Sequence, residues 1–173
     1  MNKALNKVYY RLVQTRFGCA GLVQYGSRLA SLFLPRGTEK SAVARIRKSF
    51  PGSQPAQPSR RRFEHDLRRY FEGQRVLFRC PIDWSGLGRF DRKILKTLAR
   101  VPYGRVISYG ELARRAGYRG AARAVGSALS RNPLPLVIPC HRVVRGDGGL
   151  GGYSAGRRWK KKLLNLESVT NRS

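Results

Sequence analysis

The chain has 173 residues, 36 of them Lys or Arg and only 9 Asp or Glu, for a formal net charge of +27. That length can bury a real core as one domain or two small ones, and the absence of a run of about 18 apolar residues argues against a membrane span. Cys19, Cys80 and Cys140 are odd in number and far apart, without Cys-x-x-Cys or His-x-x-x-His spacing, which argues against a disulfide framework or a structural zinc site. The charge is no detachable tail: residues 1–80 hold 17 basic and 4 acidic side chains, and residues 81–173 hold 19 and 5. So strong an excess repels itself unless a polyanion is near. Nucleic acid leads as partner, because each phosphate neutralised by Lys or Arg releases counterions.

The acid-poor start, with Lys3, Lys7, Arg11, Arg16 and Arg28, has the composition of a transit segment. Against that, Phe17 to Val23 and Leu29 to Leu34 flank the turn-like Tyr25-Gly26-Ser27-Arg28 and predict a β-hairpin. Ala42, Val43, Ile46 and Phe50 predict a helix over 39–50 with Ser41 as its cap. The proline-rich 51–59 reads as a loop. Phe63, Leu67, Tyr70 and Phe71 predict a second helix ending near Gly73, and Val76 to Cys80 reads as a strand. Composition changes near Asp83-Trp84-Ser85-Gly86, giving expected domains of 1–84 and 85–173.

In the second domain, Phe90, Ile94, Leu95 and Leu98 form one helical stripe. Helices from Tyr109 to Ala116 and from near Gly120 to Arg131, with glycine between them, predict a helix-turn-helix. The second exposes Ala122, Arg123, Gly126 and Ser127, one long cation among small residues, which suits insertion into a nucleic-acid groove and equally suits tight helix packing. Leu134 to Val144 reads as a buried extended segment, since Pro135 and Pro139 forbid a helix interior. It delivers Cys140 directly before His141. A cysteine is only a few per cent thiolate at neutral pH, and His141 and Arg142 are the neighbours expected to raise that fraction. A lone Cys-His pair is equally the mark of a buried structural cysteine.

The ordered blocks Val106-Ile107-Ser108-Tyr109-Gly110-Glu111-Leu112-Ala113, Ala121-Ala122-Arg123-Ala124-Val125-Gly126, Asn132-Pro133, Pro139-Cys140-His141-Arg142-Val143-Val144, Gly151-Gly152-Tyr153-Ser154 and Leu163-Leu164-Asn165-Leu166-Glu167 strongly resemble the O6-alkylguanine-DNA alkyltransferases. The resemblance is close from about Phe90 to Glu167 and looser before it. It implies an α/β protein with a small ribonuclease-H-like N-terminal domain and a C-terminal helical domain carrying the helix-turn-helix.

It further implies DNA repair by direct, stoichiometric transfer of the alkyl group from an extruded O6-alkylguanine to the protein itself, with O4-alkylthymine open as a second substrate. By resemblance Cys140 is the acceptor, His141 the base acting through a water, and Glu167 the carboxylate that orients it. Asn132 braces the turn, Tyr109 assists rotation of the nucleotide and donates toward the guanine, and Arg123 fills the gap in the stack beside Ala122, Gly126 and Ser127. Val143, Tyr153, Ser154 and Ala155 line the guanine pocket; the family commonly has glycine where Ala155 stands, so a restriction on bulky lesions is expected. No cofactor and no metal are expected, since Cys19, Cys80 and His65 do not reproduce the zinc ligands of some members. The expected partner is double-stranded DNA containing O6-alkylguanine, with no membrane and no obligate protein partner, for a monomer in the cytoplasm, or in the nucleus or an organelle in a eukaryote. The rival readings are a non-catalytic alkylated-DNA recognition module, against which Cys140 argues, and a Cys-His hydrolase, for which no oxyanion site is evident.

Overall fold

A computed structural model describes residues 7–56 and 61–169, in two compact units that divide between Ser85 and Gly86. In the first, strands β1 (Val8–Thr15), β2 (Gly18–Tyr25) and β3 (Arg28–Phe33) form an antiparallel meander. A two-residue strand, β4 (Gln54–Pro55), pairs parallel to β1, for the order β3-β2-β1-β4. Helix α1 (Glu39–Ser49) covers the sheet through Ile46, which forms a core with Tyr10 and Val23. A Cβ at Gly21 would stand 2.7 Å from Ile46 Cδ1, so the glycine permits this approach. Helix α2 (Arg61–Phe71) fully buries Leu67, Tyr70 and Phe71 and is followed by Gly73 at φ +87°.

The predicted hairpin is β2–β3, but three expectations fail here. Thr38 caps α1, its Oγ1 accepting from Ser41 N at 3.4 Å, while Ser41 lies inside the first turn and donates to Thr38 O at 2.8 Å. The loop over 51–59 contains β4, and residues 57–59 of that expectation lie outside the described residues. Pro55 is tolerated because β4 is an edge strand, where a missing N–H breaks no ladder. Val76 to Cys80 is not a strand: Phe78 packs on Phe63 and Tyr70, at ring distances of 5.3 and 5.7 Å, and the sheet-like pairing seen nearby among the described residues is the Leu29–Ile82 bridge. Strand β1 went unpredicted because it lies between β2 and β4, and partial cover on both faces erases the alternation a half-buried strand shows.

The second unit is helical. Helix α3 (Arg89–Leu98) buries Ile94, Leu95 and Leu98. Strand β5 (Ile107–Ser108) runs directly into α4 (Tyr109–Arg115), where Ser108 Oγ caps the helix by accepting from Glu111 N at 3.1 Å. Gly117 and Gly120, at φ +79° and +78°, turn the chain into α5 (Ala122–Ser130), which buries Val125, Ala128 and Leu129. This is the predicted helix-turn-helix. The expected extended segment Leu134 to Val144 is corrected: Cys140–Arg142 form a single 3-10 turn, and only β6 (Val143–Val144) is strand, parallel to β5. The prolines remove ladder donors, and Leu136 sits buried at φ +75°, a conformation that costs a leucine about 1–2 kcal/mol and bends the chain away from a strand. Helix α6 (Arg157–Val169), which no reading of the sequence anticipated, closes the unit. No described helix is long and apolar enough to cross a membrane.

Candidate active site

Helix α6 presents Lys160, Leu163 and Glu167 on one face, since positions three and seven apart lie one and two turns along. All three are buried. The helix thus delivers an ammonium and a carboxylate to the segment that carries Cys140. His141 Nε2 donates to Glu167 Oε1 at 2.8 Å. Arg142 grips the same carboxylate, Nε to Oε2 and Nη2 to Oε1 both at 2.9 Å, and donates from Nη1 to Val101 O at 2.6 Å. Gly104 N adds a bond to Oε2 at 3.2 Å. Burial alone would raise the Glu167 carboxyl, but the hydrogen bonds and charges of His141 and Arg142 outweigh it and hold it at about 2. Burial pushes His141 down, so at neutral pH it is an uncharged base.

Cys140 is buried with its sulfur facing a cleft of about 860 Å3. Burial pushes its thiol up, against the pull of Asn132, Tyr153, the Cys140 amide and Lys160. The groups expected to favour the thiolate are therefore corrected: both His141 and Arg142 turn toward Glu167, and the counteracting groups come from elsewhere in the chain. Asn132 Nδ2 donates to Cys140 Sγ at 3.1 Å and to Ile138 O at 2.8 Å, and its Oδ1 accepts from Leu134 N at 3.0 Å. One side chain thereby ties both ends of the loop before the cysteine. The hydroxyl of Tyr153 is buried without a well-formed hydrogen bond among the described residues and interacts with the sulfur at looser geometry; burial drives that phenol far up.

Lys160 is fully buried, which lowers its pKa. Its Nζ donates to Val143 O at 2.5 Å, to Gly152 O at 3.2 Å and to Leu150 O, fastening the loop between β6 and α6. Tyr109 stands over it, Nζ to ring 5.8 Å, and its hydroxyl donates to Gly152 O at 3.4 Å. A Cβ on Gly151, at φ +69°, would lie 3.0 Å from the Tyr109 ring, so this close approach requires glycine.

The cleft wall brings together Tyr109, Ala122, Arg123, Gly126, Cys140, Tyr153 and Ser154 from the sequence-derived set. His141, Asn132 and Glu167 stand behind it. Ser127 is exposed on the same helix but does not line the cleft, and neither Val143, fully buried in β6, nor the exposed Ala155 does, so the methyl of Ala155 does not narrow it. Four participants were missed. Lys160 could have been found as a lysine sharing a helical face with Leu163 and Glu167; Arg142 was read as a neighbour of the thiol rather than a carboxylate clamp; Arg145 and Asp147, paired at 2.7 Å in the cleft lining, carry no sequence signal. Among the described residues no group of three or more His, Cys, Asp or Glu could hold a metal ion.

Fold and site together define a helix-turn-helix protein with a buried Cys-His-Glu constellation opening onto its exposed helix. Residues 89–169 match the family model described as 6-O-methylguanine DNA methyltransferase, DNA binding domain. The methylated-DNA–protein-cysteine methyltransferase of Mycobacterium bovis is 34% identical over 160 residues, 92% of each chain. That of Methanothermobacter thermautotrophicus is 44% identical over 105 residues, 60% of this chain and 58% of the relative, so that alignment spans little more than half of it. Among solved structures, Mycobacterium tuberculosis OGT in complex with DNA superposes with a TM-score of 0.79 at 34% identity over 93% of both chains. The chain belongs to the methylated-DNA–protein-cysteine methyltransferase family.

Proposed function

We propose that this protein repairs duplex DNA by moving the alkyl group of an extruded O6-alkylguanine onto Cys140, once per molecule. The observation that supports this reading is that Cys140 and the Arg123 face of α5 line one cleft. Helix α5 enters the groove with small residues Ala122 and Gly126 against the backbone, and Arg123 occupies the stack that the flipped base leaves. Unstacking and unpairing cost roughly a few kcal/mol, which that contact partly offsets. The partner is double-stranded DNA with the lesion, engaged by a monomer without a second protein.

In the reaction the sulfur attacks the sp3 carbon on O6; the S–C bond forms as the C–O bond breaks. The thiol proton passes through a water to His141, whose Nε2 is committed to Glu167, leaving Nδ1 to receive it. Glu167, fixed by Arg142, stabilises the imidazolium that results, the role of the carboxylate in a triad. Tyr109, at the first turn of α4 on the cleft wall, donates to the departing guanine. Since a thioether does not release the alkyl group, the sulfur is consumed. Incubation with a duplex carrying labelled O6-methylguanine is expected to plateau at one label per protein, with none transferred to Cys140→Ala; continued turnover would instead favour a hydrolase.

A further inference from the structure

Helix α3 carries a feature the repair chemistry does not use. Arg89, Arg92, Lys93 and Lys96, with Arg100 just past its end, recur at i, i+3, i+4, i+7 and i+11, forming one stripe opposite the buried Ile94, Leu95 and Leu98. They line a groove of about 530 Å3 whose other wall is Arg115 from the end of α4, and Thr97 is its one uncharged lining residue. No carboxylate lines it. The nearest acids on these helices are engaged: Asp91 holds Arg131 at 2.6 and 2.8 Å, and Glu111 is shared between Arg114 and Arg115. Arg92 donates to Leu87 O at 3.3 Å and Lys93 lies 5.0 Å from the Tyr118 ring centroid, contacts that hold these side chains along the groove.

We propose that this groove is a second binding site for the phosphodiester backbone of duplex DNA, separate from the lesion cleft. It shares no lining residue with that cleft, yet α4 reaches both, with Tyr109 in one and Arg115 in the other. From Arg89 to Arg100 the stripe runs about 16 Å at 1.5 Å per residue, a length over which a duplex presents on the order of ten phosphate charges. Like charges gathered on one concave face repel one another, and a polyanion laid along them relieves that repulsion and releases its counterions. Contacts to phosphate oxygens carry no sequence information, so binding through the backbone is independent of sequence and of damage. The phosphates belong either to the duplex being repaired, beyond the flipped base, or to a second duplex.

The identity of the polyanion rests on the repair reading, so both are measured on the same full-length protein. The triple variant Arg89→Gln/Lys96→Gln/Arg100→Gln changes exposed side chains only. Its binding to undamaged DNA is compared with wild type across salt concentration, on a short duplex that fills only the lesion cleft and on a long one, and duplex–duplex bridging is followed by energy transfer between labelled ends. If the groove extends the footprint on one duplex, the variant loses about 0.9 of the log–log salt slope for each phosphate released, roughly 2 to 3 in all, on the long duplex alone. If it holds a second duplex, the slope stays and bridging disappears. Unchanged slope together with unchanged bridging overturns the proposal, as does an equal loss in the charge-retaining variant Arg89→Lys/Lys96→Arg/Arg100→Lys. Methyl transfer from free O6-methylguanine stays at the wild-type rate in both variants; a wild type that binds through the groove but transfers no methyl refutes the repair reading and leaves the groove standing.

Discussion

Replacing Glu167 by Gln keeps the shape of the side chain and removes the charge that balances the Arg142 guanidinium and that would steady an imidazolium at His141. The carboxylate accepts four hydrogen bonds, from His141, twice from Arg142 and from Gly104. An amide keeps one acceptor oxygen and turns an NH2 toward a donor, leaving the Arg142 guanidinium buried without a counter-charge. Breaking a buried pair from one side costs about 3–5 kcal/mol. The depressed carboxyl gives a second figure: about 2 in the folded protein against about 4.3 when unfolded corresponds to about 3 kcal/mol at 1.36 kcal/mol per unit. Because the folded value is the lower one, this stabilisation is complete above about pH 5 and disappears as the pH falls through 4.3 toward 2. Chemical denaturation of the full chain at pH 7, 5 and 3 therefore shows Glu167→Gln about 3 kcal/mol less stable at pH 7 and converging on wild type in acid. Methyl transfer falls with it, since the imidazolium loses its counter-charge. Stability curves that run parallel from pH 7 to 3, or a loss under about 1 kcal/mol at pH 7, refute the reasoning.

Asn132→Ala deletes the donor to the sulfur and the tie to Ile138, and a hydrogen bond to a charged acceptor is worth about 1.5–3 kcal/mol, so the transfer rate drops roughly 10- to 100-fold; stopped-quench kinetics showing less than a twofold change would contradict that. Arg123→Ala slows repair in duplex DNA at least about tenfold while leaving the reaction with free O6-alkylguanine near wild type, because only extrusion is affected; equal losses on both substrates would remove its assigned role. Gly151→Ala places a methyl 3.0 Å from Tyr109 at a positive φ and costs at least about 1 kcal/mol in backbone strain alone, lowering both the melting temperature and the transfer rate, and an unchanged melting temperature would show that the loop yields freely. The alkylated protein melts below the free one, as an added methyl in a packed site costs about 1–3 kcal/mol; identical melting curves would argue against a tight site around the sulfur.

Elements with a clean period were legible from the sequence alone. The stripes of α1, α2 and α3 and the glycine-separated pair α4 and α5 each advertise one buried face. Strand β1 was hidden because its burial is two-sided, and β4 because two residues with a proline leave no period. Around the sulfur, Cys140 and His141 stood out as an adjacent pair, whereas Asn132, Tyr109 and Glu167 were named through a family pattern, since Asn132 lies eight residues before the cysteine and Glu167 lies 26 after the histidine, and each meets its partner only after folding. That same long-range closure explains what was missed. Lys160 looks like one more cation in a Lys-Lys-Lys run until α6 forms and turns it inward, and Arg142 looks like a surface charge beside a thiol until Glu167 arrives from 25 residues away. Charge patterning pointed to nucleic acid but could not separate the lesion face from the α3 groove, because the separation depends on which side of each helix is buried.

The central claim is that Cys140 takes the alkyl group from DNA and keeps it. Intact-mass measurement after incubation with a duplex containing O6-methylguanine, followed by peptide mapping, is expected to show the mass of one CH2 added to every active molecule, located on Cys140, with Cys140→Ala unchanged. An unmodified Cys140 after prolonged exposure, or a methyl group found on Cys19 or Cys80 instead, would contradict it.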